Sequence, residues 1–210
     1  NGHQASAFEP TEFIPIVPVR GQSTRVQATA DSLALRLPVT GVRSICPAVE
    51  EQHTIGATYD PGIASTEADK ADDRENTQLV QSLFSRAAQL GLRPVTARAA
   101  VRAASRDYFP VVGAVPDTSA FIVSHAELSR NAHARINETD GYWRNGLFIN
   151  TGHGSHGLAS CPLAAELLAS LINNEPLPLS LETAENLSPA RFILRALKRQ
   201  QLGRPVRPDD

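Results

Sequence analysis

The stretch 151-TGHGSHGLASCP-162 constrains the fold more than any other. It lies between an apolar run, 147-LFIN-150, and an apolar segment of helical length, 162-PLAAELLASLI-172. A strand, a glycine-rich turn and a helix in that order make one βα step. The glycines let the backbone turn tightly or approach a ligand closely. The helix, beginning near residue 160, directs its first N–H groups and the positive end of its dipole back at the turn. That favours an anionic or electron-rich group there.

Three chemistries compete for the turn. His153, His156 and Cys161 are metal-ligating types, but zinc wants three or four clustered N or S donors and no fourth is apparent, so no metal is expected. Ser155 in 153-HGSHG-157 sits where a nucleophile elbow would be, yet His153 occupies the first glycine position of that pattern. His156 is also the last histidine in the chain, so no catalytic base follows the serine. The remaining reading is the edge of a large planar cofactor, with a tight structural turn as its alternative.

Elsewhere strands dominate. Segment 13-FIPIVPVRGQSTRVQA-28 reads as a strand interrupted by Gly21, at a bulge or a close backbone approach. Segments 43-RSICPAV-49 and 53-HTIGATY-59 read as a hairpin around 50-EEQ-52. Thr66, with Asp69 three residues on, reads as the capping box of a helix stopped by Gly91. Its acidic first half, 67-EADKADDREN-76, suits the helix dipole. Residues 93–107 are read as a strand and then a loop, 109–117 as a short apolar core among turn residues, and 120–125 as a strand. Ser188 and Pro189 open a last helix through about Gln200.

Many strands and few helices indicate an α+β class with a mainly antiparallel sheet over residues 1–145. The segment 146–210 differs: it reads as the last strand and helix of an α/β domain, followed by a basic helix. The two cysteines, Cys46 and Cys161, make no disulfide framework and suggest a reducing compartment. No run approaches the ~18 apolar residues of a membrane-spanning helix. No methionine occurs, even at position 1, which reads as a processed or excised chain. The formal net charge of −2 excludes a global field toward nucleic acid. Basic residues are nonetheless skewed: only Lys70 and Lys198 among 20 are lysines. Arginine offers a planar donor fork suited to carboxylates and phosphates.

Residues 146–180 resemble the C-terminal FAD segment of the D-amino-acid-oxidase superfamily, which includes the glycine and sarcosine oxidases. Segment 98-RAAVRAASRDYFPVVGAVPD-117 resembles that superfamily's G-x-R-x-x-T-x-D-x-x-P-x-x-G region. Segments 18-PVRGQST-24, 53-HTIGATYDPG-62 and 102-RAASRDYFPVVG-113 are similar to its tRNA-modifying branch. The resemblance spans roughly residues 1–180. It implies an FAD-dependent amine oxidase that removes the carboxymethyl group of carboxymethylaminomethyl(-2-thio)uridine at the tRNA wobble position, releasing glyoxylate. Oxidation of a free small amino acid, as in glycine oxidase, and a non-catalytic fragment unable to hold FAD are the alternatives. The dinucleotide fingerprint G-x-G-x-x-G is absent from the chain, so the ADP half of FAD would be held by an upstream portion. If the parent is bifunctional, a fused methyltransferase would lie beyond that portion.

The same resemblance assigns roles. Arg102 would pair with the substrate carboxylate, Arg144 would be a second substrate arginine, and Tyr59 a lid residue. Arg20, Gly21 and Gln22 would cross near the flavin. Gly152, His153, Gly154, Ser155, His156, Gly157 and Leu158 would line its pyrimidine edge. Asp107 would orient Arg106 or cap a turn. A tRNA partner would use the arginine-rich surface (Arg98, Arg106, Arg130, Arg135 and the basic group from Arg191 to Arg207), in the cytoplasm.

Overall fold

The computed structural model describes residues 2–84, 91–134 and 142–199. It divides into two compact units, one of residues 18–102 and one of residues 1–17 with 103–210. The α+β expectation holds. The division falls at 17/18 and 102/103 rather than at 145/146, because residues 103–145 supply a strand and a helix that pack with the C-terminal segment.

Residues 18–102 build a sheet around β1 (Ile16–Gln27), which continues through Gly21 without a break. The short strands β2 (Val39–Thr40) and β3 (Ser44–Ile45), with β4 (Gln52–Gly56), form a meander. Ile45 faces Ile55 across β3 and β4, as the hairpin reading requires. The connecting turn places Glu50 and Glu51 in the left-handed region. Strand β4 pairs antiparallel with β1, Thr24 opposite Ile55, and β5 (Asp60–Pro61) pairs with β1 at Arg20↔Asp60. Helix α1 (Lys70–Gln81) covers the sheet, and Val80 joins Val26, Ile45, Ile55 and Leu92 in the core. Its cap is Asp69, whose side chain accepts from Ala71 N at 2.8 Å, not Thr66. The helix ends at Gln81, well short of Gly91, and the segment 85–90 lies outside the described residues. Strand β6 (Pro94–Ser105) pairs with β1.

The other unit centres on an antiparallel pair, β7 (Val111–Pro116) and β8 (Trp143–Thr151). Between them, α2 (Thr118–Ser124) replaces the strand expected at 120–125. Asp117 accepts from Ala120 N at 3.0 Å, and this cap, together with burial of Phe121, overrides the strand preference of the Phe-Ile-Val run. Helix α3 (Gly157–Asn173) packs Ala164 and Leu167 onto Val112 and ends on Asn174 in the left-handed conformation. Two short helices follow, α4 (Leu181–Leu187) and α5 (Ala190–Lys198). Ile193 and Leu197 of α5 close a cluster with Phe121 and Leu128. Among the described residues, no helix is long and apolar enough to cross a membrane.

Candidate functional site

Within residues 18–102, an arginine on β1 and one on β6 meet very different fates. Arg20 is buried, and its Nη1 reaches Asp72 at 2.5 Å and Asp60 at 3.3 Å. Its Nη2 donates to Gln22 Oε1 at 3.0 Å and to the Glu67 carbonyl at 2.7 Å. The hydrogen bond to Asp72, opposed by desolvation, raises its already high pKa. Gln22 donates to Asp73 at 2.8 Å and to the Asp69 carbonyl at 2.7 Å. Thr24 and Asn76 complete this polar seam, which binds β1 to the first turns of α1. The side chains of Arg20 and Gln22 are thus both engaged within this seam. The acidic run 67–76 does more than answer the helix dipole: its carboxylates and carbonyls receive these buried donors.

Arg102 is held otherwise. A Cβ on Gly21 would lie 1.9 Å from Arg102 Nη1 and 2.6 Å from its Cζ, so the guanidinium rests on the bare backbone of β1. The close approach expected at Gly21 is therefore with Arg102. Among the described residues its one hydrogen bond is a long one, Nη1 to the Thr58 carbonyl at 3.5 Å. No described carboxylate pairs with it. Tyr59, the next residue after Thr58, is 47% exposed. A half-buried arginine without a counter-ion is a ready receptor for an incoming carboxylate.

In the other unit, the glycine turn is short and well braced. Gly152 and Gly154 take positive φ of 75° and 55°. The Gly154 N–H donates to the Ala103 carbonyl at 2.7 Å, and His153 bridges to Ala104. His153 Nε2 lies 2.7 Å from Asn150 Oδ1 and its Nδ1 2.8 Å from Ser160 Oγ. With both nitrogens engaged, the ring braces the turn, and burial lowers its pKa, which favours the neutral form. Ser155 and His156 are exposed, and Leu158 is fully so. Helix α3 starts at Gly157, immediately after this turn, and among the described residues no side chain caps its N-terminus. Its first N–H groups therefore remain available to an acceptor.

Arg144 does not join this turn. It stands at the start of β8, eight residues before Gly152, or roughly 26 Å at ~3.3 Å per residue of strand. It pairs with Glu9 at 2.8 Å, and its Nε is buried without a partner among the described residues. Asp107 caps its turn, accepting from Phe109 N at 3.3 Å, and also receives Arg191 Nε at 2.9 Å and Arg191 Nη2 at 3.0 Å and pairs with Arg195. Burial pushes its pKa up, but the two arginines outweigh it and hold the carboxyl well below the usual range. Arg191 is almost fully buried in this pair, so it and Arg195 are not free phosphate ligands. Arg135, Arg204 and Arg207 lie outside the described residues. Among the described residues, no group of three His, Cys, Asp or Glu side chains could hold a metal.

A family match described as "FAD dependent oxidoreductase" covers residues 1–171. The chain belongs to this family. It is 39% identical over 200 residues to the tRNA 5-methylaminomethyl-2-thiouridine biosynthesis bifunctional protein MnmC of Pseudomonas putida strain GB-1, covering 91% of this chain and 30% of that protein. The same-named protein of Pseudomonas aeruginosa strain UCBPP-PA14 is also 39% identical, over 93% of this chain and 31% of its own length. The chain thus spans about a third of these relatives. In fold it is similar to glycine oxidase from Geobacillus kaustophilus, with TM-score 0.67 and 21% identity over 91% of this chain and 44% of that one.

A cofactor of this family is compatible with the turn on the donor set alone. Uncapped N–H groups at the start of α3, with the exposed Ser155 and His156, suit an electron-rich carbonyl edge. Gly152 and Gly154 to Leu158 would hold that rim of the flavin.

Proposed function

We propose that this chain is the substrate-binding and C-terminal part of an FAD-dependent amine oxidase acting on the carboxymethylaminomethyl arm of a tRNA wobble uridine. The observation that carries the reading is Arg102, a guanidinium seated over Gly21 with no carboxylate partner among the described residues. The names of the relatives that share 39% identity support the tRNA substrate.

When bound, FAD supplies the acceptor for a hydride from the carbon between amine and carboxylate, after which water cleaves the resulting imine to glyoxylate and the aminomethyl uridine. The residues of the chain do the positioning. Arg102 binds the carboxylate of the side arm through its planar fork and so fixes the neighbouring C–H. Tyr59 follows Thr58, whose carbonyl Arg102 touches, and shields the amine. The N-terminus of α3 offers N–H groups to negative charge on the cofactor rim. Arg98, Arg130 and Arg199 supply phosphate contacts. Upstream portions, including the dinucleotide-binding part and a fused methyltransferase, complete the protein, and the reaction belongs in the cytoplasm.

The test is glyoxylate release by the complete protein from tRNA bearing the carboxymethylaminomethyl group. Arg102→Ala should raise KM sharply while leaving flavin absorbance intact. Turnover of free glycine in preference to the tRNA, or an unchanged KM in the variant, rejects the assignment.

A further inference from the structure

The unit of residues 1–17 and 103–210 contains a cavity of about 810 Å³ that the oxidase reading does not use. It gathers at the end of β8 opposite the glycine turn, between the β7–β8 pair and the helices α2, α4 and α5. Its volume is that of a small-molecule site, about 300–1,000 Å³. Its walls are mainly apolar, and three features among them can engage a ligand.

The first is His125, 5% exposed, stacked on Phe121 at 4.0 Å between ring centroids. Its Nδ1 lies 2.9 Å from the Phe121 carbonyl and 2.8 Å from Ser124 Oγ; the carbonyl can only accept and the Ser124 hydroxyl donates to that carbonyl at 3.0 Å, so Nδ1 carries the proton and donates. The other nitrogen, Nε2, has no partner among the described residues and is a bare acceptor in the lining. The second is Trp143, which meets Phe121 edge-on at 5.6 Å and is itself 43% exposed. A flat ring would stack there. The third is Lys198 at the rim, with no ion pair among the described residues; the other lining cations, Arg144 and Arg191, are already paired with Glu9 and Asp107.

We propose that this cavity binds a nucleotide unit: a base stacked on Trp143, its amino group donating to His125 Nε2, and its phosphate at Lys198. A purely apolar ligand would leave His125 Nε2 and Lys198 unused, and a bare anion would leave the apolar walls wet. The site is separate from the glycine turn, and no oxidation enters its test, so it stands or falls independently of the oxidase reading.

Trp143 is the only tryptophan in the chain, so its fluorescence reports directly on the cavity. Titrating AMP into the full chain should quench it saturably, with a Kd on the order of a millimolar. Purine riboside 5′-monophosphate, which lacks the amino group, should bind about fivefold more weakly. Lys198→Ala, a change at an exposed side chain, should weaken AMP about threefold, less so at high salt. No saturable quenching up to ~10 mM, far above that expected Kd, overturns the proposal. So does ribose 5-phosphate acting as well as AMP, or purine riboside 5′-monophosphate binding equally tightly.

Discussion

Replacing Gly21 with alanine isolates the role of Arg102 without touching Arg102 itself. The added Cβ would fall 1.9 Å from Nη1, whereas ordinary contact needs about 3.5 Å, so the guanidinium must retreat by ~1.5 Å. The backbone at residue 21 is extended strand with no positive φ, so alanine is tolerated there and the unfolded chain loses some freedom. Global stability should change by less than about 1 kcal/mol. The damage falls on the carboxylate pair instead. A charge-assisted hydrogen bond is worth about 1.5–3 kcal/mol, which corresponds to roughly a tenfold to hundredfold loss in kcat/KM. Steady-state kinetics with carboxymethylaminomethyl tRNA, alongside thermal unfolding, measure both sides. Adding Gly21→Ala to Arg102→Ala should cost little more, since both act on one contact. Kinetics for Gly21→Ala within a factor of two of wild type would refute the argument.

The unit built on β7 and β8 offers three more tests. Asp107→Ala strands the buried Arg191 and should cost about 3–5 kcal/mol in urea unfolding. Because the folded pKa of Asp107 is depressed, its contribution is complete above the unfolded carboxylate value near ~3.9 and fades as pH falls below it; a flat stability profile across acid pH would contradict this. Gly152→Ala forces a side chain into φ of 75° and sets Cβ 3.2 Å from Val111, so melting should drop by the equivalent of about 1–2 kcal/mol. The His153 ring should titrate below its ordinary value of ~6.5 in an NMR pH series, and a midpoint above that value would show that burial does not govern it.

The step from β8 through the glycine turn into α3 was legible because it is local. Left-handed glycines, an apolar run and a helix stop at Asn174 all lie within a few residues of what they control. The antiparallel hairpin of β3 and β4 was legible for the same reason. The fates of Arg20 and Gln22 were not, because Asp72 and Asp73 lie some fifty residues away and nothing in the spacing pairs them. Asp107 was hidden likewise, its partners being 84 and 88 residues on. Helix α2 could have been found: Asp117 followed by Thr-Ser-Ala is a capping signal, but the β-branched run after it favours a strand on propensity alone.

The pairing of Asp107 with Arg191 and Arg195 bears on where this protein can be cut. The family match stops at residue 171, as though the remaining residues were an appendage. Yet α5 reaches back to grip the bend between β6 and β7, and its Ile193 and Leu197 seal a core. A truncation made at that homology border would remove a keystone rather than trim a tail, and the shortened piece should be recovered from cells chiefly as insoluble material.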